Sequence, residues 1–207
     1  MRFGTVLCLL LLACLPKTKT STPKSASIGR IEAIEGKPTR IRAGVRSGAT
    51  AGAPVNAGDK LETDATAKVQ VKLNDASVLA VGPGSVVSLA QFSLGSSRQC
   101  KVHVDVGKFW LRISRWIGAG ESYYEVTTPT AVAGARGTTL WGDTQVDAVC
   151  ALDGHIEVKN RQRPDLGVTQ LETGHCASEL SLGKMTPLAP SSEQIAGFLK
   201  EVLISPP

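Results

Sequence analysis

The heptapeptide Ala67-Lys68-Val69-Gln70-Val71-Lys72-Leu73 decides the fold class of this chain. Its apolar and polar residues alternate without a break, so the apolar side chains point to one face and the polar side chains to the other. Such period-two alternation is typical of a half-buried β-strand. The next residues, Asn74-Asp75-Ala76-Ser77, are turn formers, and Val78-Leu79-Ala80-Val81 begins another apolar run. The sequence therefore predicts two strands joined by a short turn.

The same pattern recurs on both sides of this hairpin. Short alternating or apolar runs separated by Gly-rich turns continue along most of the chain, at residues 28–42, 86–89, 101–106, 108–113, 155–159 and 168–171. Many short strands at a spacing of about 8–12 residues indicate an all-β sandwich, barrel or solenoid. We therefore expect an all-β fold.

One segment near the C-terminus has a helical period instead. Ile195, Phe198, Leu199 and Val202 are spaced i, i+3, i+4 and i+7, and Ser191 or Ser192 can cap the N-terminus of the helix. We expect a short amphipathic helix within residues 186–207 that packs its apolar face on the sheet. The alternative is that this face binds a partner.

Composition argues against nucleic-acid binding. The chain has 207 residues, a hydrophobic fraction of 42% and a formal net charge of +5. This is enough apolar material for one folded domain, but the charge is too small for the concentrated basic face of a nucleic-acid binder. Aromatic residues make up only 4%, which argues against a stacking platform for single strands. We expect no nucleic-acid partner.

The N-terminus resembles an export signal. An apolar run over residues 6–15 follows Met1-Arg2 and is too short to span a bilayer of about 30 Å as a helix. Leu11-Leu12-Ala13-Cys14 resembles the lipobox of bacterial lipoproteins, which implies cleavage before Cys14 and a lipid on its thiol. Residues 1–13 would be the signal peptide, and the polar residues 14–27 a flexible tether. Simple secretion or an uncleaved anchor is the alternative.

Three further cysteines follow Cys14, and export permits disulfides. Cys150 and Cys176 lie in candidate strands on either side of residues 156–171, so we expect a Cys150–Cys176 bridge. Cys100 is then free, or it replaces one of the two partners.

Known catalytic and metal-binding patterns are not found in the sequence. His103, His155 and His175 do not have the C-x₂-C or H-x₃-H spacing of zinc ligands, and there is no G-x-S-x-G, H-E-x-x-H or Walker motif. We expect no metal, no cofactor and no enzymatic activity.

Several segments together resemble the FecR domain of bacterial envelope proteins. Residues 55–63 are similar to the family's G-D-x-L-x-T, residues 69–89 to its "l-x-D-x-S-x-l" and "G-P-x-S", and residues 126–138 to its "v-x-T-P-x-A-v-a-G-v-R-G-T". The resemblance covers about residues 28–185 and implies a twisted β-solenoid-like or β-roll-like domain outside the cytoplasm. The residues that match the last and most specific motif are Thr128, Pro129, Gly134, Arg136, Gly137 and Thr138.

The resemblance also carries expectations about partners. The best-known members relay a signal from a TonB-dependent receptor to a sigma factor through a cytoplasmic segment and one membrane span. An export signal occupies that end here, so we expect no direct contact with a sigma factor and a closer likeness to the stand-alone exported members.

Two features are candidates for binding. Arg136 lies between two glycines, where its guanidinium could either join neighbouring coils through backbone carbonyls or bind a carboxylate. Aromatic residues concentrate between positions 110 and 141, interleaved with arginines, either as a core cluster or as an exposed protein-binding surface. The residues of that candidate surface are Trp110, Arg112, Arg115, Trp116 and Tyr123.

Two functions are consistent with these features. The first is a non-enzymatic lipoprotein, anchored in the envelope and facing the periplasm or the cell surface, whose FecR-like domain binds or scaffolds another envelope protein. Envelope signalling is among its roles, and a glycan is the other class of partner. The alternative is a surface-exposed, adhesin-like lipoprotein that binds external macromolecules. The sequence does not define the oligomeric state.

Overall fold

The computed structural model describes residues 26–115, 120–183 and 185–204. Within these residues the chain forms strands, two short 3₁₀ turns and one α-helix. In chain order the elements are β1 (Ser27–Glu35), β2 (Thr39–Arg42), β3 (Val45–Gly48), β4 (Pro54–Asn56), β5 (Lys60–Glu62), β6 (Lys68–Leu73), β7 (Val78–Val81), β8 (Val86–Leu94), β9 (Arg98–Val106), β10 (Lys108–Arg112), β11 (Ser122–Thr127), β12 (Ala131–Ala135), β13 (Thr139–Asp143), β14 (Ala148–Asp153), β15 (Ile156–Asn160), β16 (Val168–Leu171), β17 (His175–Ser178), β18 (Thr186–Leu188) and α1 (Ser192–Val202).

The strands form two nine-stranded sheets. Sheet A has the order β18-β17-β14-β13-β10-β7-β6-β1-β4, and sheet B has the order β16-β15-β12-β11-β9-β8-β5-β2-β3. Among the described strands, β9 and β11 pair in parallel and the other pairs are antiparallel. The all-β class is thereby confirmed. Neither sheet closes on itself, and the solenoid arrangement stays a prediction.

One hydrophobic core lies between the two sheets. In β6, Val69, Val71 and Leu73 are buried while the intervening polar residues are partly exposed, as the alternation predicts. Burial of apolar area at about 25 cal/mol per Å² is the main force that holds the two sheets face to face. The core includes, among others, Ile31, Leu79, Phe109, Leu111 and Leu140 from sheet A and Leu61, Val87, Val102, Tyr124, Val126, Ile156 and Val158 from sheet B.

The outer face of sheet A has a second apolar layer, which the helix α1 covers. Ser191 and Gln194 form a capping box at the start of α1, so the predicted helix and its cap are confirmed. Phe198 stacks on Trp141 with ring centroids 4.2 Å apart. Val202 and Leu203 are buried in the same cluster as Trp110. The helical face therefore packs on the sheet, the first of the two roles considered for it.

The predicted bridge between Cys150 and Cys176 is present in this second layer. The two residues are direct cross-strand partners on β14 and β17, with Cα atoms 3.9 Å apart. Cys100 is free and buried. No helix in the described part of the chain is both long and apolar enough to cross a membrane. The domain limits at residues 13, 27 and 185 stay predictions, and Cys14 lies outside the described residues.

Candidate functional site

The outer face of sheet B differs from that of sheet A because its polar side chains remain open to solvent. Gln99 on β9, and Glu157 and Lys159 on β15, are exposed. Glu125 on β11, Gly134 on β12 and Glu157 lie in one row across three strands, because the registers pair Glu125 with Gly134 and Gly134 with Glu157. The residues of the FecR-like motif that lie on this face are therefore accessible to a partner.

A tyrosine lies over the glycine at the centre of this row. Gly134 has no side chain, and a Cβ atom placed there would come 2.5 Å from the hydroxyl oxygen of Tyr123. The Tyr123 ring therefore occupies the space above Gly134, which only glycine leaves open. Burial raises the pKa of the Tyr123 hydroxyl, and the Glu125 and Glu157 carboxylates raise it further, against the opposing effect of Arg136. At neutral pH the Tyr123 hydroxyl is protonated, as in any tyrosine, and can donate a hydrogen bond.

Arg136 stands beside this tyrosine and is exposed. Its guanidinium carbon lies 6.0 Å from the centroid of the Tyr123 ring, at the outer limit of a cation–π contact. It forms no hydrogen bond or ion pair with any other residue that the structure describes, so it does not join neighbouring coils through carbonyls. Arg161 does that instead, donating to the Thr128 carbonyl at 2.7 Å. The N–H groups of the Arg136 guanidinium are therefore available to a ligand.

A shallow pocket surrounds the pair. Tyr123, Gly134 and Arg136 line it together with His155 and Glu157. A guanidinium and a phenol at one edge can donate to carboxylate or carbonyl oxygens, and Glu157 can accept from a partner's cation. We call Tyr123, Gly134, Arg136, His155 and Glu157 the sheet B patch.

The remaining motif residues shape turns. The Thr128 hydroxyl accepts from the Ala131 amide at 2.9 Å and closes the turn between β11 and β12 next to Pro129. Thr138 is buried and donates to the His155 carbonyl at 3.3 Å. Gly137 has a φ of +60°, in the left-handed region that favours glycine. The motif thus brings Gly134 and Arg136 together at one end of β12, while Thr128 and Pro129 lie at the other end.

The predicted aromatic–arginine surface requires a correction. Trp110 is buried beneath α1 on the outer face of sheet A, whereas Tyr123 is on the outer face of sheet B. Arg112 lies 5.8 Å from the Trp110 ring, and Arg115 is exposed next to Gly137. Trp110 and Tyr123 therefore do not share a surface, because β10 and β11 belong to different sheets. Trp116 lies outside the described residues.

A buried polar cluster escaped the sequence analysis. Arg98 and Asp75 form an ion pair of 2.8 Å, and the Tyr124 hydroxyl also donates to the Asp75 carboxylate. Burial, above all, raises the pKa of Tyr124 and of the nearby Cys100 thiol. The signal was present in the alternation, because Arg98 is in phase with the inward-facing Cys100, Val102 and Val104 of β9.

The Arg98 guanidinium holds two separate parts of the chain. It donates to the Ser122 hydroxyl at 2.8 Å, and to the Ser114 hydroxyl and carbonyl at 2.7 Å each. Ser114 follows β10 and Ser122 begins β11. Arg98 therefore secures both ends of the connection between the two sheets from inside the protein.

Comparison with known proteins defines the class of this fold. Residues 59–160 match the model of the FecR protein family. The chain therefore contains a FecR domain, as the resemblance predicted; the wider span of residues 28–185 stays a prediction. Comparison with curated proteins finds no match.

Two solved structures have a similar fold. Both are crystal structures of a "putative anti-sigma factor" from Parabacteroides distasonis, 18% identical to this chain, with TM-scores of 0.53 and 0.52. The similarity covers 68% of this chain and 64% and 63% of the respective neighbours. The chain thus spans less than two thirds of their length, and at this identity the likeness establishes the fold alone.

Proposed function

We propose that this protein is an exported, lipid-anchored component of the bacterial cell envelope whose FecR domain binds another envelope protein without catalysing a reaction. The FecR domain at residues 59–160 carries the proposal. Both structural neighbours are described as a "putative anti-sigma factor", which supports a regulatory role rather than an enzymatic one. The FecR domain and these neighbours together support a role in envelope signalling.

The fold suits a scaffold. From β11 onward the chain changes sheet after every second strand, as expected for a roll that grows by adding hairpins. Tyr123 and Gly134 lie on adjacent strands in the interior of sheet B. The sheet B patch is therefore held by hydrogen-bonded strands, at the end of β12 that Gly134 and Arg136 occupy.

The patch has the chemistry of a protein interface. Tyrosine and arginine are enriched among the residues that dominate binding energies, since each offers a large contact area and directed hydrogen bonds. Arg136 has no hydrogen-bond or ion-pair partner among the described residues, and the protonated Tyr123 hydroxyl can donate a hydrogen bond. We propose an envelope protein that presents carboxylate or carbonyl groups as the partner.

Site-specific photo-crosslinking in living cells tests this binding face. A photo-reactive residue at Lys159, which is exposed on β15, should give a discrete adduct with one envelope protein. Tyr123→Ala and Arg136→Ala should each reduce its yield at least fivefold. The control is Arg163→Ala, which removes an exposed arginine already paired with Asp165. An adduct that persists at full yield in both patch variants would overturn the proposal.

Lipid anchoring and location have separate tests. Metabolic labelling with an alkyne analogue of palmitate should mark the wild type, and Cys14→Ser should abolish the label. Protease added to intact cells should leave the FecR domain uncut until the outer membrane is permeabilised. Cleavage on intact cells would place the domain outside and favour the adhesin-like alternative.

A further inference from the structure

A row of cations crosses the outer face of sheet A beside the layer that α1 covers. The register pairs Arg30 on β1 with Lys72 on β6. Lys72 is paired in turn with Val78 on β7, and Val78 with Arg112 on β10. At about 4.8 Å between neighbouring strands, the three cations span roughly 14 Å. None of the four residues in this row is acidic. We call Arg30, Lys72 and Arg112 the basic row.

The basic row is open to solvent. Its neighbours in the chain, which belong to the core between the two sheets, are Ile31, Val71 and Leu111. Because side chains alternate along a strand, the cations lie on the outer face. Arg30 and Arg112 are exposed, and neither forms a hydrogen bond or an ion pair with a residue that the structure describes. Both guanidinium groups are therefore accessible to a ligand.

Arg30 and Lys72 form an unfavourable pair within the protein. They lie directly opposite each other on antiparallel strands, where side chains approach to about 5 Å and like charges repel. The Glu32 carboxylate lies 3.9 Å from the Lys72 amine and accepts a hydrogen bond from Gln70, but it makes no ion pair with Arg30. An anion between Arg30 and Lys72 would replace their repulsion by two attractions.

A pocket of about 420 Å³ lies beside these two cations. Sites that hold small molecules have volumes of about 300–1,000 Å³, so this pocket can admit a compact polar group. Arg30 and Lys72 both line it, and the other described lining residues are uncharged: Ser27, Gly29, Gly52, Pro54, Leu73, Asn74 and Ala76. A lining with two cations and no acidic residue favours an anion.

A phosphate group fits the two cations better than a carboxylate does. The Arg30 guanidinium is a planar fork that binds two oxygens of one anion, whereas the Lys72 amine is a point charge on another strand. The two oxygens of a carboxylate lie in one plane, and the arginine alone satisfies them. A phosphate presents oxygens in several directions, so it can contact both cations at once.

The position of the pocket in the chain favours a phospholipid as the source of the phosphate. Ser27 lines the pocket and begins β1, directly after the predicted tether from Cys14. The tether residues 14–26 are thirteen in number and include three lysines and no acidic residue. A flexible chain of that length spans about 20 Å. The pocket would therefore stay close to the membrane, and the tether lysines would add to its attraction for anionic headgroups.

We propose that this end of sheet A binds an anionic phospholipid, with the headgroup phosphate between Arg30 and Lys72 and with Arg112 against the same membrane surface. The lipid source rests on the proposed lipid anchoring, whereas the phosphate site does not. An unlabelled Cys14 in the palmitate experiment would refute the anchor and leave the phosphate titration unchanged. The sheet B patch lies on the other sheet, so its crosslinks are independent of this site.

The experiments use the proposed mature chain, residues 14–207, with Cys14→Ser. This chain contains every residue that the structure describes, and it carries no acyl chain that could bind a membrane by itself. The test variants are Arg30→Gln and Lys72→Gln. The matched control is Lys37→Gln, which removes the same charge from an exposed lysine about 20 Å away, beyond the other end of β1.

Titration with inorganic phosphate at constant ionic strength tests the pocket itself. In NMR spectra, the backbone amide resonances of the lining residues Gly52 and Asn74 should shift and reach saturation. Arg30→Gln should weaken this binding at least fivefold, and the affinity of Lys37→Gln should stay within twofold of the wild-type value. Absence of a saturable shift, or an equal loss in both variants, would overturn the phosphate site.

Sedimentation with vesicles tests the lipid source. The unacylated chain should bind vesicles made of equal parts phosphatidylglycerol and phosphatidylcholine, and it should not bind vesicles of phosphatidylcholine alone. Arg30→Gln and Lys72→Gln should each weaken binding about fivefold, the contribution of one cation at an anionic surface. Lys37→Gln should bind within twofold of the wild type. Equal losses in all three variants would indicate attraction by net charge alone and overturn the proposal. Phosphate binding without vesicle binding would overturn the lipid source and make a free phosphate compound the ligand.

Discussion

Arg98 and Asp75 form an ion pair of 2.8 Å in the interior of the protein, where their side chains are 0% and 1% exposed. Asp75 lies in the turn between β6 and β7 of sheet A, and Arg98 begins β9 of sheet B. The pair therefore connects the two sheets, with further hydrogen bonds from Ser77 and Tyr124 to the Asp75 carboxylate. Burial of charge is tolerated because both ions are surrounded by hydrogen-bond partners.

The first prediction concerns this pair. Arg98→Met leaves the Asp75 carboxylate buried without its cation, so the free energy of unfolding should fall by about 3–5 kcal/mol. Chemical denaturation measures the change. The control is Arg163→Ala, which removes a pair of similar length, 2.7 Å, between exposed side chains; its effect should stay below about 1 kcal/mol. Equal effects in both variants would contradict a special role for the buried pair.

The second prediction concerns Cys100 and pH. Burial raises the pKa of its thiol in the folded state, whereas in the unfolded chain the thiol ionises near pH 8.5. Above that pH the unfolded state binds fewer protons than the folded state, so stability should fall as the pH rises, by up to about 1.4 kcal/mol per pH unit. Denaturation at several values between about pH 8 and 10 should show this slope.

Cys100→Ala is the control for this titration. The variant lacks the thiol, so the slope in this pH range should become smaller although the absolute stability also changes. Burial also raises the pKa of Tyr124 in the folded state. Tyr124 therefore lowers the stability of both proteins by a similar amount, but only above about pH 10, the ordinary pKa of tyrosine in an unfolded chain. An unchanged slope in Cys100→Ala would show that another group titrates.

The third prediction concerns the disulfide. Cys150 and Cys176 are 26 residues apart in sequence, so replacing both by alanine should lower the free energy of unfolding by about 3 kcal/mol through the entropy of the unfolded chain. Denaturation of the oxidised wild type and of the double variant measures the difference. Both cysteines are buried, so a reductant should open the bridge only as fast as the surrounding structure opens. Rapid reduction of the fully folded protein would contradict this arrangement.

The fourth prediction compares three glycines in strands. In Gly29→Ala the new Cβ would lie 2.4 Å from the backbone carbonyl oxygen of Lys72, so β1 and β6 must separate and stability should fall by about 1–3 kcal/mol. In Gly134→Ala the obstacle is the tip of the Tyr123 side chain, which can swing away. This variant should cost less stability but reduce the photo-crosslink from the sheet B patch.

Gly48→Ala is the matched control, since nothing lies within 4 Å of the new Cβ. Its free energy of unfolding should stay within about 0.5 kcal/mol of the wild-type value. Its crosslinking yield should stay within twofold of that of the wild type. A Gly134→Ala variant that keeps full crosslinking would show that the position of Tyr123 does not matter for binding.

The sequence by itself determined the features that depend on local periodicity. The alternation in residues 67–73 predicts strand β6 and its buried face, and the spacing of Ile195, Phe198 and Val202 predicts α1. The strand assignments also placed Cys150 and Cys176 close enough to pair. These inferences succeed because side-chain direction repeats every second residue in a strand and every third or fourth in a helix.

Only the tertiary structure decided which faces remain open. Trp110 points away from the central core, yet α1, more than 80 residues later in the chain, covers it. Tyr123 and Gly134 meet only through the register of β11 and β12, and Arg98 finds Asp75 only because two sheets stack. Periodicity tells which way a side chain points, but burial also depends on distant segments that pack on that face, and their placement is a property of the whole fold.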